Sequence, residues 1–148
     1  MKVQKRNRIT ICVSFIRPII SGDGDSALAF AEALVKADCK VSVVSLNPYA
    51  KLPFNSSQGS IHIYRSPYFN KLILGKLLSR FAFFPIVTYK ILFSDTVIVY
   101  GRMLAYKYSL FVGKLFGKKV VFRSTLMDFD DISTLTLNKG IEGWLNKK

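Results

Sequence analysis

Short uncharged runs of branched and aromatic residues recur along this chain, with longer stretches of helical spacing between them, and that alternation leaves few folds open. Residues 9–15 are dense in Ile, Val and Phe and carry no charge, as a strand covered on both faces must be. Residues 40–46, 61–65, 96–100 and 120–124 read as further strands. Residues 26–38 repeat Leu28, Ala31, Leu34 and Val35 at three- and four-residue steps, the mark of a helix with one apolar face. Asp25 stands where a side chain can cap that helix's free N–H groups. Residues 103–116 read as another helix with Leu104, Tyr108, Phe111 and Leu115 on its core side, closed by Gly117 as a left-handed cap. Strands that alternate with helices pair in parallel. The expected fold is therefore one α/β domain over residues 1–148, Rossmann-like and doubly wound, its mostly parallel sheet flanked by helices.

Two connecting stretches are less regular. Pro53, Ser56, Ser57 and Gly59 mark a polar loop before the strand at 61–65. In residues 72–93, Leu74, Leu77, Leu78 and Phe81 share one helical face and Lys76 and Arg80 another, while Pro85 is expected to break or kink the helix.

With half of its 148 residues apolar and 14% aromatic, the chain has ample material for a core, which excludes disorder. No uncharged apolar run reaches membrane-spanning length; the best, residues 81–89, is bounded by Arg80 and Lys90. A basic start and the apolar run 9–16 look like a secretion signal, but Arg17-Pro18 interrupts it and no small-residue cleavage site follows. Cys12 and Cys39 sit in apolar surroundings without metal-ligand spacing, so no metal is expected and a reducing, cytoplasmic compartment is. The net charge of +13 is compatible with an anionic partner, but excess charge alone is nonspecific. Lys71, Lys76, Arg80 and Lys90 thread the apolar segment 72–93 and suit contact with an anionic membrane, at the inner face of which the protein would sit peripherally. A core helix whose lysines face solvent explains the same pattern. No RNA-binding strand motif or zinc knuckle points to nucleic acid.

Gly22-Asp23-Gly24-Asp25-Ser26-Ala27 fits G-x-G-x-x-A between a strand and a helix, and three readings compete for it. In a dinucleotide (NAD) site the glycines would let a pyrophosphate approach the helix N-terminus. Against that, six residues separate the strand from Gly22, and Ser45, Leu46 and Asn47 stand where an acid should end the second strand. Asp23 and Asp25 would also repel a diphosphate, each by roughly 1 kcal/mol or more at about 4–5 Å. The second reading is a tight turn capped by Asp25. In the third, these carboxylates and N–H groups face a cleft and hold a hydroxyl-rich substrate, with a partly buried carboxylate able to take a proton from an attacking alcohol.

The buried first strand, the Pro- and Gly-containing loop, the helix Ser26-Ala-Leu-Ala-Phe-Ala-Glu-Ala-Leu34 and the Val-Ser-Val-Val strand resemble the N-terminal domain of GT-B glycosyltransferases, most of all the retaining family 4. Asp95-Thr-Val-Ile-Val-Tyr-Gly101, Lys114-Leu-Phe-Gly117 and Lys118-Lys-Val-Val-Phe122 are similar to that family's second half. The resemblance covers nearly the whole chain. It departs from the family's pattern in having no Gly-Gly-Glu in the first loop and no His after the Val-Val strand, where Arg123 to Asp128 stand. His62, the only histidine, falls on a short strand and reads as structural.

The resemblance implies transfer of a sugar from a nucleotide-sugar, which is a substrate and not a tightly bound cofactor, to a glycan or lipid-linked acceptor, as in polysaccharide biosynthesis. It implies that this domain forms the acceptor side and that the donor-binding domain is absent from these 148 residues, so that little activity is expected without such a domain, in trans if need be. Asp25 and Asp128 are the candidate catalytic carboxylates; Gly22, Asp23, Gly24, Arg123 and Ser124 are candidate substrate-binding residues. Arg123 could steady a diphosphate by forked hydrogen bonds, or could instead pair with Asp128, Asp130 or Asp131. The alternative function is a noncatalytic basic Rossmann-like module that binds membrane or a partner protein; an NAD-binding domain is the third.

Overall fold

A computed structural model describes residues 7–47, 49, 52–69, 73–100 and 104–123, without the side chains at 73, 74, 76, 77, 80 and 104–106. The elements run β1 (Arg8–Cys12), α1 (Gly22–Lys36), β2 (Lys40–Asn47), β3 (Asn55–Gln58), β4 (Ile61–Pro67), α2 (Ile73–Leu92), β5 (Thr96–Tyr100), α3 (Leu104–Leu115) and β6 (Lys119–Arg123). They form one six-stranded sheet in the order β3-β4-β2-β1-β5-β6, parallel except for β3 against β4. The chain winds outward from β1 through β2 to β4, then α2 carries it back to β5 on the other side of β1. The order thus reverses at the β1–β5 boundary, where open α/β sheets leave a crevice at the strands' carboxyl ends.

Strand alternation divides the core in two. Ile9, Ile11, Val13, Val41, Val43, Ile98 and Tyr100 pack under Ala27, Leu28 and Ala31 of α1. Cys12, Val44, Val97 and Val99 point the other way, under Phe83, Val87 and Ile91 of α2 and Val112 of α3. Both faces of the central strands are buried, which is why their sequences are uncharged.

The structure corrects several expectations. Helix α1 begins at Gly22, not at 26: Ser21, extended at φ −145° and ψ 134°, is its N-cap and its hydroxyl accepts from Gly24 N–H. Gly22 to Asp25 are therefore the first helical turn rather than a loop, and Asp25 is not the cap. The polar segment before β4 is β3, joined to it through Gly59 at φ +58°; its polarity suits an edge strand that faces solvent. Helix α2 runs through Pro85. Proline has no N–H for the Phe81 carbonyl, but Phe81 and Pro85 both lie on the exposed side, where water can satisfy that carbonyl.

The inward faces of α2 and α3 also differ from the expected ones. Ser79, Phe83, Val87 and Ile91 are buried at four-residue steps, while Leu78 and Phe81 face out. Ser79 is tolerated inside because its hydroxyl accepts from Phe69 N–H at 2.7 Å and donates to the Gly75 carbonyl at 2.9 Å. On α3, Ser109, Val112 and Gly113 face the sheet, and Phe111 and Leu115 do not. A Cβ at Gly113 would run into the Val120 side chain, so small residues are needed where α3 meets β6. The Gly117 cap is as expected: φ is +61° and Lys118 N–H reaches back to the Gly113 carbonyl at 2.8 Å. Among the described residues no helix is long and apolar enough to cross a membrane.

Both cysteines are free. Burial pushes the Cys12 thiol up to about 12, a shift only partly offset by the Ser109 hydroxyl that donates to its sulfur. A thiol with that pKa is almost wholly protonated at pH 8 and is a poor nucleophile. A disulfide reagent should therefore modify Cys39 quickly in the native protein and Cys12 only on unfolding. Rapid modification of both thiols in folded protein would contradict the placement of Cys12.

Candidate functional site

Side chains from α1, β5 and β6 meet at the carboxyl ends of the parallel strands. The register sets Tyr100 beside Arg123. Tyr100 is wholly buried, and its hydroxyl accepts from Arg123 Nη1 at 3.0 Å. The Ser26 hydroxyl on α1 also reaches the phenol oxygen. Burial raises the Tyr100 pKa, Arg123 and Ser26 lower it, and the nearby negative charge of Asp23 raises it again; the net direction is upward, so the phenol is neutral at physiological pH. The Arg123 guanidinium lies 5.2 Å from the Phe30 ring and 5.4 Å from that of Tyr100, with its outer edge exposed. These contacts hold a cation at the carboxyl ends of β5 and β6 while leaving it donors to spare.

The first turn of α1 is fixed against the end of β1. Ser21 Oγ donates to the Phe15 carbonyl at 3.1 Å and accepts from Gly24 N–H at 2.9 Å. Gly24 is buried, and a Cβ on it would collide with the Phe15 carbonyl oxygen and lie 2.7 Å from Ser21 Oγ. Its lack of a side chain serves packing. Gly22 is the opposite case: a Cβ there would meet nothing within 4 Å. Asp25 Oδ1 accepts from Arg17 Nε at 2.9 Å, in a pair whose side chains are 72% (Arg17) and 42% (Asp25) exposed. A pair so open to water adds little stability, about 0–1 kcal/mol.

Of the expected site residues, the structure brings Asp23 and Arg123 near Tyr100, with Gly22 next to Asp23 in the first turn of α1. It places Gly24 in the packing beneath and turns Asp25 toward Arg17. Ser124 and Asp128 lie outside the described residues, as do Asp130 and Asp131, Lys71, and the side chains of Lys76 and Arg80. Lys90 is not directed outward as a membrane contact would be: its ammonium lies 3.4 Å from the centre of the Tyr64 ring. His62 is exposed beside Ser57, with 3.4 Å between Nδ1 and Oγ, and no nucleophile–base–acid arrangement forms around it among the described residues. No group of metal-ligating side chains occurs among the described residues.

Tyr100, Ser26 and Phe30 were missed. Tyr100 reads in the sequence only as the last residue of an apolar strand; the rule that ligand groups collect at the carboxyl ends of parallel strands is the signal that could have found it.

No protein-family model matches the chain, and no curated protein matches it significantly in sequence. Among solved structures, the C-terminal domain of a hydrogenase from Pyrococcus furiosus superposes with a TM-score of 0.51 at 13% identity, over 82% of this chain and 94% of that one. At that identity the likeness concerns the fold alone: the chain is an α/β domain with a six-stranded, mostly parallel sheet flanked by helices.

Proposed function

We propose that this chain forms the acceptor side of a sugar-transfer cleft, the role of the N-terminal domain in a GT-B glycosyltransferase. The observation that supports it most is the convergence of Asp23, Ser26, Tyr100 and Arg123 where the first turns of α1 meet the carboxyl ends of β5 and β6, one strand from the sheet's switch point. Asp23 supplies acceptor oxygens for sugar hydroxyls, and Arg123 supplies donors for a diphosphate or a carboxylate-bearing acceptor. Asp25, with Arg17 on one oxygen, retains a second oxygen for an acceptor hydroxyl and remains the candidate base of this reading. The nucleotide-sugar enters as a substrate held mainly by a second α/β domain, in the same polypeptide or in trans. The setting is the cytoplasmic face of a membrane that carries the acceptor. The NAD reading is weaker: Ser21 already occupies one N–H of the first turn, Gly24 is closed off by the Phe15 carbonyl, and two carboxylates flank the approach.

Calorimetric titration with a panel of glycosides, and with NAD in parallel, tests this. Glycosides should bind. Arg123→Lys and Tyr100→Phe should each weaken binding about tenfold, the loss expected for a hydrogen bond involving a charged group. Thermal unfolding should change little in Arg123→Lys, at an exposed site, while Tyr100→Phe should also lower stability by about 1 kcal/mol or more through its lost buried bonds. Binding of NAD alone, or glycoside affinities unchanged in both variants, would remove the assignment.

A further inference from the structure

The outward face of α2 carries an apolar stripe that no part of the described chain covers. Leu78, Phe81, Tyr89 and Leu92 are 51%, 65%, 58% and 38% exposed, and Pro85 between them is exposed as well. Their steps of three, four, four and three residues keep them on one line along the helix, directly opposite Phe83, Val87 and Ile91. Helix α3 lies in the same layer, packed on the same sheet face, and turns Phe111, Leu115, Lys107 and Lys114 outward. A soluble surface seldom keeps so many large apolar groups together without a partner.

The charge around this layer identifies the partner. From residue 39 to residue 127 the chain has thirteen Lys or Arg and a single acid, Asp95. Neither α2 nor α3 contains an aspartate or glutamate. Two copies meeting through this face would therefore bring like charges together. Aromatic and leucine side chains on helices that carry Lys and Arg but no acid match instead the interfacial zone of a bilayer with anionic headgroups, where apolar groups sink past the phosphates and lysines stay among them.

We infer that the α2–α3 layer is a membrane-docking face, with the helices parallel to the surface of a bilayer that contains anionic lipid. The apolar stripe makes the contact; Lys90, held over Tyr64, does not. The inference gives the membrane setting of the proposed function its surface, but its test needs neither sugar nor nucleotide, so either reading can fail alone.

The experiment is vesicle flotation of the full chain with phosphatidylcholine alone and with phosphatidylcholine and phosphatidylglycerol in a two-to-one ratio. The protein should float with the mixed vesicles and far less with the neutral ones. Phe81→Ser and Phe111→Ser should each lower partitioning about tenfold, from the apolar area withdrawn from the interface. Both sites are at least half exposed, so thermal unfolding of these variants should match that of the parent. Phe54→Ser, at an exposed site next to β3, should float like the parent. Three results would overturn the inference: no flotation of folded protein, flotation indifferent to Phe81 and Phe111, or a dimer in light scattering that Phe81→Ser dissolves.

Discussion

Phe83→Ala should lower the free energy of unfolding by about 3–5 kcal/mol, whereas Phe81→Ala, two residues earlier, should change it by less than about 0.5 kcal/mol. Phe83 is 2% exposed and packs with Val87, Ile91, Val97 and Val99, so truncation leaves a cavity that the stiff strands below cannot fill. Phe81 is 65% exposed and loses only partial contacts. For a domain with about 5–15 kcal/mol of total stability the first change is severe, a fall in melting temperature of about 10 °C or more. Chemical denaturation of the two variants beside the parent checks the orientation of α2. Equal losses, or a larger loss at Phe81, would mean that the helix is rotated from the position described.

Gly24→Ala should destabilise the protein by about 1–3 kcal/mol or more, the usual cost of forcing a methyl into a filled space. The new Cβ would meet the Phe15 carbonyl oxygen and Ser21 Oγ. Backbone cannot swing aside as a long side chain would, so α1 must lift from the end of β1 and strain the Ser21 cap. Gly22→Ala, two positions earlier and facing open space, should be neutral or stabilising by a few tenths of a kcal/mol through the alanine's better helix propensity. Thermal melts of both variants separate a glycine kept for packing from one that is not. A Gly24→Ala protein as stable as the parent would show that the close approach of α1 to Phe15 is wrong.

The parallel sheet was legible because its central strands have no choice: residues buried on both faces must be apolar, and β1, β2 and β5 announce this in uncharged runs. Gly117 was legible because a left-handed cap leaves few alternatives. Helix orientation was not. Periodicity in the first half of residues 72–93 favoured the Leu78–Phe81 side, and the second half, apolar on most sides, could not correct it; packing chose the Phe83–Val87–Ile91 side, with Ser79 satisfying the Phe69 amide. On α3 the decisive residue was Gly113, which lets the helix close on Val120 and turns Phe111 and Leu115 outward. The start of α1 was misread because Asp25 and Ser21 are both good caps, and only the contact of Ser21 with the Phe15 carbonyl distinguishes them. Of the candidate site, the sequence pattern pointed to Asp23 and Arg123 but not to Tyr100, which stands between them and whose position depends on a strand register that no local motif encodes.

Where a bound sugar lands on the protein tests the account most directly. Amide chemical-shift mapping of the full chain, titrated with a glycoside selected by calorimetry, should show its largest changes at Gly22, Asp23, Ser26, Tyr100 and Arg123. Changes that cluster instead at the strands' amino ends, around Lys40 and His62, or that arise only with NAD, would contradict it.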